Sequence, residues 1–335
     1  MTAPHAMIWS LLGGSVQGAN KKRNQDAFRH SGLGTSEAPL LLAAADGHGA
    51  AAHTRSARGA ELAVELLTKE MGRFADLARA RPGQRAPVLS WLRHYAEDAL
   101  PRQFVTEWRR QVLRDWEEEH DPAADGLPVD KRLELYGTTV IGAVLTPQLL
   151  TAWQLGDGEL SLVDEDGTVH LPLAPATAAL GDESESLCLD EAWRLMRLHW
   201  EPLAGAHLAP VLLSLSTDGL SHSFVGDEGF RGFVRDLAGR TRGSREAVEA
   251  VREALPRWLS EASAHSGDDT TLVAAVRTNG TAGTDGEDGS GTAVPSPAGG
   301  PAAPVPASEG EEPVPAGSPA IEKKPGPGAG DRETS

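Results

Sequence analysis

The sequence predicts an α+β fold in which antiparallel sheets are covered by helices. Three observations predict it. Strand-like apolar runs follow one another with only tight turns between them, at residues 138–145, 149–155 and 159–163. Helical stripes fall in two separate blocks instead of alternating with single strands. An Asp-Gly turn signal closes three of the strand-like runs.

In chain order, Leu40 to Ala44 reads as a buried strand that ends at Asp46-Gly47. Ala60, Val64, Leu67 and Met71 recur at the spacing of one helical face. A longer stripe runs through Leu92, Ala96, Leu100, Phe104, Trp108, Val112 and Trp116. It is expected to kink or restart at Pro101, whose ring removes an N–H and crowds the preceding turn. Trp108 and Trp116 read as core side chains packed on a neighbouring helix. Thr146-Pro147-Gln148 joins the first two of the three consecutive strands, and Gly156-Asp157-Gly158 joins the second to the third. Val211 to Leu215 is a strand ahead of Asp218, residues 247–259 form a third helix, and Thr271 to Arg277 is a last strand.

The chain has 335 residues and a formal net charge of −17. That charge argues against nucleic acid as the main partner, because binding a polyphosphate needs a basic surface. One cysteine, Cys188, excludes a disulfide framework within the chain and fits a reducing cytosol. No run is long enough to span a bilayer, and residues 1–8 lack the charged-then-apolar pattern of a signal peptide. A cytoplasmic protein without membrane contact is expected. Composition changes after Arg277: residues 279–335 hold 10 of the 23 prolines and no aromatic residue. Such a segment cannot bury enough surface to offset its chain entropy, so a disordered tail is expected after a catalytic body at 1–278. The tail has nine acidic and three basic residues, which leaves about −11 on the body.

Five short stretches place acidic residues at the edges of the strand-like runs. They are Asn24-Gln25-Asp26-Ala27, Ala45-Asp46-Gly47-His48-Gly49, Gly156-Asp157-Gly158, Ser216-Thr217-Asp218-Gly219 and Gly267-Asp268-Asp269-Thr270-Thr271. Singly, each is an ordinary turn. If the strand ends meet in space, their carboxylates make an oxygen cage of the kind that suits hard cations such as Mg2+ and Mn2+.

These motifs, in this order, resemble the metal-dependent serine/threonine protein phosphatases of type 2C, over roughly residues 10–277. The likeness is to the divergent bacterial branch, whose first motif reads Gln-Asp, here Gln25-Asp26. The resemblance implies an αββα sandwich: two antiparallel sheets with helices on both outer faces. It implies two Mg2+ or Mn2+ ions at one end of the sandwich, sharing a bridging water. Asp26 matches the first metal aspartate, and Asp46 the one that bridges both ions, with the Gly47 carbonyl beside it. His48 matches the histidine often assigned as general acid. Gly137-Thr138-Thr139 matches the glycine-threonine strand start. Asp157 matches a ligand of a third, weaker ion in bacterial members. Asp218 and Asp268 match the ligands of the second ion, and Asp269 stands where an asparagine is usual.

Three positions depart from the family pattern. Gln25 replaces the glutamate of many members and removes a negative charge. Lys21 stands where an arginine usually grips the substrate phosphate, with Lys22 and Arg23 beside it. Lys21 and Arg23 are the expected phosphate contacts, although a lysine holds phosphate as a point charge without the two-pronged fit of a guanidinium. His222 stands where members with a third ion commonly have an aspartate, so that ion lacks part of its usual ligand set.

The residue types suit phosphate-ester hydrolysis. Two divalent ions neutralise the phosphoryl oxygens and lower the pKa of a water between them. The leaving alkoxide needs a proton, which a histidine delivers. The expected partners are phosphorylated Ser/Thr proteins, substrates of a serine/threonine kinase. Two alternatives stay open on the sequence. One is a pseudophosphatase or phosphoprotein-binding module of the same fold. The other is a metal-dependent hydrolase of small phosphate esters. Cys188 lacks the adjacent arginine and phosphate-cradling loop of a thiolate phosphatase, which discounts covalent cysteine catalysis.

Overall fold

The computed structural model of the chain describes residues 8–80, 86–119, 126–173, 185–203 and 209–278. The proline-rich segment 279–335, expected to be a disordered tail, lies outside the described residues.

Among the described residues, ten strands form two antiparallel sheets of five. The first holds β1 (Ile8–Val16), β10 (Thr270–Thr278), β9 (Leu212–Ser216), β6 (Glu159–Val163) and β7 (Val169–His170), in that spatial order. The second holds β2 (Ala27–Ser31), β3 (Leu40–Ala45), β4 (Val140–Leu145), β5 (Leu149–Leu155) and β8 (Arg197–Pro202). Every pairing is antiparallel, for example Leu42 opposite Ala143 and Leu215 opposite Val273.

Side chains alternate across each strand, so every central strand contributes to two cores. Leu40, Leu42, Ile141 and Leu150 pack between the sheets against Leu160, Leu213, Leu215 and Val273. The other face of the second sheet, including Ala43, Val144 and Trp153, packs on α1 (Ser56–Arg79) and α3 (Leu100–Glu118). The outer face of the first sheet, including Leu12, Leu272 and Ala274, packs under α6 (Gly226–Arg240) and α7 (Arg245–Ser266). The order is helices, sheet, sheet, helices, as the expected αββα sandwich requires. Burial on both faces explains why β4 and β5 read as unbroken apolar runs: every residue of both is buried.

The expected tryptophan role holds. Trp108 is fully buried and donates its indole N–H to the Gly59 carbonyl at 3.1 Å, so its polar atom is satisfied in the core. The helix does not stop at Pro101. α2 (Ala86–His94) runs through a π-helical turn at Tyr95–Ala99 into α3 with helical backbone at His94, Ala99 and Leu100, and Pro101, which has no N–H to donate, lies directly after that wider turn.

One expectation is corrected. Gly156-Asp157-Gly158 is not the turn of a hairpin. β5 lies in one sheet and β6 in the other, where β6 pairs with β9 and β7. The chain changes layers there, which sets Asp157 at the end of the sandwich.

Candidate active site

The aspartates of the first, second, fourth and fifth motifs come from parts of the chain far apart in sequence. Asp26 precedes β2, Asp46 follows β3, Asp218 opens the short helix α5 (Asp218–Ser221) after β9, and Asp268 lies between α7 and β10. The antiparallel order brings these four strand ends to one edge of the sandwich. Their charges act on one another: Asp46 feels Asp26, Asp218 and Asp268.

Burial and repulsion set their protonation. Burial first, then Asp269 and Asp218, push Asp26 up to about 7, against hydrogen bonds from Thr271 and Thr217. Burial, then the charges of Asp26 and Asp218, hold Asp46 well above the ordinary carboxylate range. Burial, the largest single influence, acts to raise Asp218, but its hydrogen bonds with His222 and Asp46, the charge of His222 and the backbone at Gly219 together outweigh it, and the group lies below its ordinary value.

Each of these carboxylates already has a partner, and Asp46 shares a hydrogen bond with Asp218. Asp26 Oδ2 accepts from the Thr217 hydroxyl at 2.8 Å. His222 Nδ1 lies 3.3 Å from Asp218 Oδ2. Lys21 Nζ lies 2.5 Å from Asp268 Oδ1. So the expected phosphate-binding lysine is paired with an expected metal ligand. Arg23 donates to the Thr54 carbonyl. Asp157 is exposed, and its charge senses Asp218, His222 and Glu185.

The residues fit a hard cation in their chemistry. Oδ1 of Asp26 and Oδ1 of Asp218 are buried with no hydrogen-bond partner. A buried anionic oxygen without a partner is costly, and a divalent cation removes that cost. The cage is not closed: no three His, Cys, Asp or Glu side chains among the described residues already stand as a metal-holding group.

Backbone clamps hold the frame. The Asp46 carbonyl accepts from the Thr138 hydroxyl at 2.7 Å and from the Thr139 N–H at 2.8 Å. In return the Asp46 N–H reaches the Thr139 hydroxyl at 3.2 Å. The Gly137-Thr138-Thr139 motif therefore fixes the backbone that carries Asp46. Two glycines are required by close approach rather than by a turn. A Cβ on Gly47 would lie 2.8 Å from the Gln25 and Ser56 carbonyl oxygens, and one on Gly219 would lie 2.0 Å from the Asp269 carbonyl oxygen.

His48 donates its backbone N–H to Gly137 at 3.0 Å, and its carbonyl accepts from the Gln25 amide at 3.0 Å. The uncharged Gln25 thus braces the loop of His48. Its ring Nε2 is buried without a partner. Burial first, then the neighbouring His53, push its pKa down to about 4, with Asp218 opposing. In this geometry the imidazole is neutral at pH 7.

Four contributors were not singled out in the sequence. The His53 ring lies 4.9 Å from that of His48 and is anchored through Nδ1 on the Glu134 carbonyl. Glu185 accepts from the Gly156 N–H at 2.9 Å, and Arg197 donates to the Gly156 carbonyl, so this pair fixes the turn bearing Asp157. Asp269, read only as an atypical residue, is 1% exposed and accepts two backbone N–H groups. Two of the four had a signal in the sequence: Asp269 lies in the fifth motif, and His53 follows His48 by five residues. Cys188 is half-buried and burial raises its thiol pKa, against the needs of a thiolate nucleophile.

A family model described as Protein phosphatase 2C matches residues 14–260. No curated protein matches the sequence. Among solved structures, a bacterial serine phosphatase is similar at 16% identity, over 79% of this chain and 96% of that one, with a TM-score of 0.50. The catalytic domain of the serine/threonine protein phosphatase PstP, in complex with two manganese ions, is 19% identical over 82% of this chain and 100% of that one, at 0.48. The serine/threonine phosphatase Stp1 from Staphylococcus aureus is 17% identical over 82% and 99%, at 0.47. At 16% identity the first of these likenesses speaks to the fold alone.

Proposed function

The chain belongs to the protein phosphatase 2C family, and from that premise we propose that it hydrolyses phosphoserine and phosphothreonine in proteins with the help of two Mg2+ or Mn2+ ions. The observation that carries this reading is the meeting of Asp26, Asp46, Asp218 and Asp268 at one sandwich edge, with two buried carboxylate oxygens left unpartnered. Asp26, Asp46, Asp218, Asp268 and the Gly47 carbonyl would hold the ions. Bound there, the ions would screen the phosphoryl charge and lower the pKa of a water toward neutrality. Lys21 and Arg23 would orient the phosphate. His48, neutral as it stands, would first take up a proton, favoured by the negative charge of a bound phosphate, and then pass it to the leaving serine or threonine oxygen. The substrates would be phosphoproteins made by a serine/threonine kinase.

The setting follows the same reading. Among the described residues no helix is long and apolar enough to cross a membrane, and the single cysteine suits a reducing cytosol. Residues 1–278 would be the catalytic body and 279–335 a disordered tail.

The test is manganese-dependent phosphate release from a phosphothreonine peptide, compared with an aryl phosphate and a panel of small phosphate esters. Peptide turnover that stops on chelation and returns with Mn2+ supports the reading. Turnover confined to small esters would replace it with the metabolite-hydrolase alternative, and peptide binding without turnover with the pseudophosphatase.

A further inference from the structure

A cleft of about 330 Å3 opens beside the candidate active site, lined by Lys21, Lys22, Arg23, Gln25, Gly49 and His53 among others. None of its lining residues is an aspartate or glutamate. This is unusual for a chain of net charge −17. Two other clefts mix the signs. One sets Arg231 and Arg235 beside Asp166, Asp227 and Glu228. In the other, Arg73 pairs with Glu70 and Arg110 with Glu107.

The cations of the basic cleft differ in their commitments. Lys21 is bound to Asp268 and Arg23 to the Thr54 carbonyl. Lys22 is exposed and pairs with no carboxylate among the described residues. The cleft also adjoins the chemistry, since Gln25 precedes Asp26 and Gly49 follows His48. A group seated there would lie a short peptide step from a phosphate at the site.

We infer that this cleft selects substrates carrying an acidic side chain next to the phosphorylated residue, with Lys22 as its main unpaired contact. The inference rests on the phosphatase reading above. The physical case is local. The negative charge of the rest of the protein is screened beyond a Debye length of about 8 Å, so the cations nearest the bound peptide decide which flank is favoured.

The experiment measures kcat/KM for phosphothreonine peptides of equal length with glutamate, alanine or lysine flanks, and for an aryl phosphate without flanks. The expected order is glutamate, alanine, lysine. Lys22→Ala reduces the glutamate-over-alanine advantage by about twofold to fivefold, the scale of one exposed ion pair. Lys22→Glu abolishes or reverses the order, while the aryl phosphate rate stays unchanged in both variants. Added salt compresses the order in the unmodified protein. Equal rates on all peptides, or a ranking that survives Lys22→Glu, overturn the inference and leave the phosphatase reading standing. If no peptide is turned over, the phosphatase reading fails. Fluorescence anisotropy with the same labelled peptides then decides the cleft separately: tighter binding of the glutamate peptide that Lys22→Glu removes supports it, and indifference to the flank overturns it.

Discussion

The carboxylate of Asp269 accepts the backbone N–H of Gln25 at 2.8 Å, across 244 residues of chain. Its other oxygen accepts the Gly18 N–H at 2.7 Å. The last motif thereby pins the loop that delivers Asp26 to the site. Both oxygens act as acceptors, and an amide offers only one acceptor beside an NH2 donor. Asp269→Asn therefore sets a donor against a donor in a buried place, although asparagine is the residue that the family usually carries there. The expected cost is about 1–3 kcal/mol, read as a lower Tm by thermal melting. An unchanged Tm would show that the loop holds itself.

The carboxylates are expected to matter for metal and turnover more than for folding. Asp46→Asn removes a charge that burial and neighbouring carboxylates oppose, which keeps or raises the Tm measured in chelator, whereas Asp218→Asn gives up a carboxylate that His222 holds below its ordinary value and should melt somewhat lower. Mn2+ affinity by calorimetry should fall, and peptide turnover should nearly vanish. Full activity of Asp218→Asn after chelation and readdition of Mn2+ would sink the ligand assignment.

How much of this was legible in the sequence follows from burial. β4 and β5 are covered on both faces and announce themselves as apolar runs. β8, reading Arg-Leu-His-Trp-Glu-Pro, is a half-buried edge strand without that contrast, and it was missed. α6 was missed because Gly226, Gly229, Gly232 and Gly239 weaken every local helix signal, while its Phe230, Phe233 and Leu237 are fixed by packing on the sheet. The aspartates of the site were visible because close backbone approach puts glycine after Asp46 and Asp218. Glu185 and Arg197 were not visible: they meet only once Gly156 changes layers, and a tight turn looks the same in sequence whether it closes a hairpin or crosses between sheets.

His48 is expected to serve the leaving group. His48→Ala should slow a phosphoserine peptide by about a hundredfold to ten-thousandfold, the usual range for general acid catalysis. An aryl phosphate, whose leaving group needs no proton, should lose far less. Equal losses on the two substrates would make His48 a structural residue, braced by Gly137 and Gln25 as observed.

The boundary at the end of β10 has its own test. A chain shortened to Asn279 should keep its Tm and its turnover of small substrates, because a segment of this composition adds no core. A large fall in either quantity would mean that residues 280–335 dock on the body.

The final prediction concerns a third cation near Asp157. His222 is 69% exposed and spends Nδ1 on Asp218 at 3.3 Å rather than on Asp157. Imidazole is a softer ligand than carboxylate and brings no negative charge. The unmodified protein should therefore bind two ions tightly and a third only at high metal concentration, with Mn2+ favoured over Mg2+ because it accepts nitrogen ligands more readily. His222→Asp replaces a favourable contact to Asp218 with a like-charge neighbour. In chelator the variant should melt lower than the parent, and added Mg2+ should recover more stability in the variant than in the parent, because a cation between the two carboxylates reverses the sign of their interaction. Calorimetry should show a third Mg2+ event strengthened in His222→Asp. Three tightly held ions in the unmodified protein at low Mg2+, or no gain on His222→Asp, would show that His222 does not limit that site.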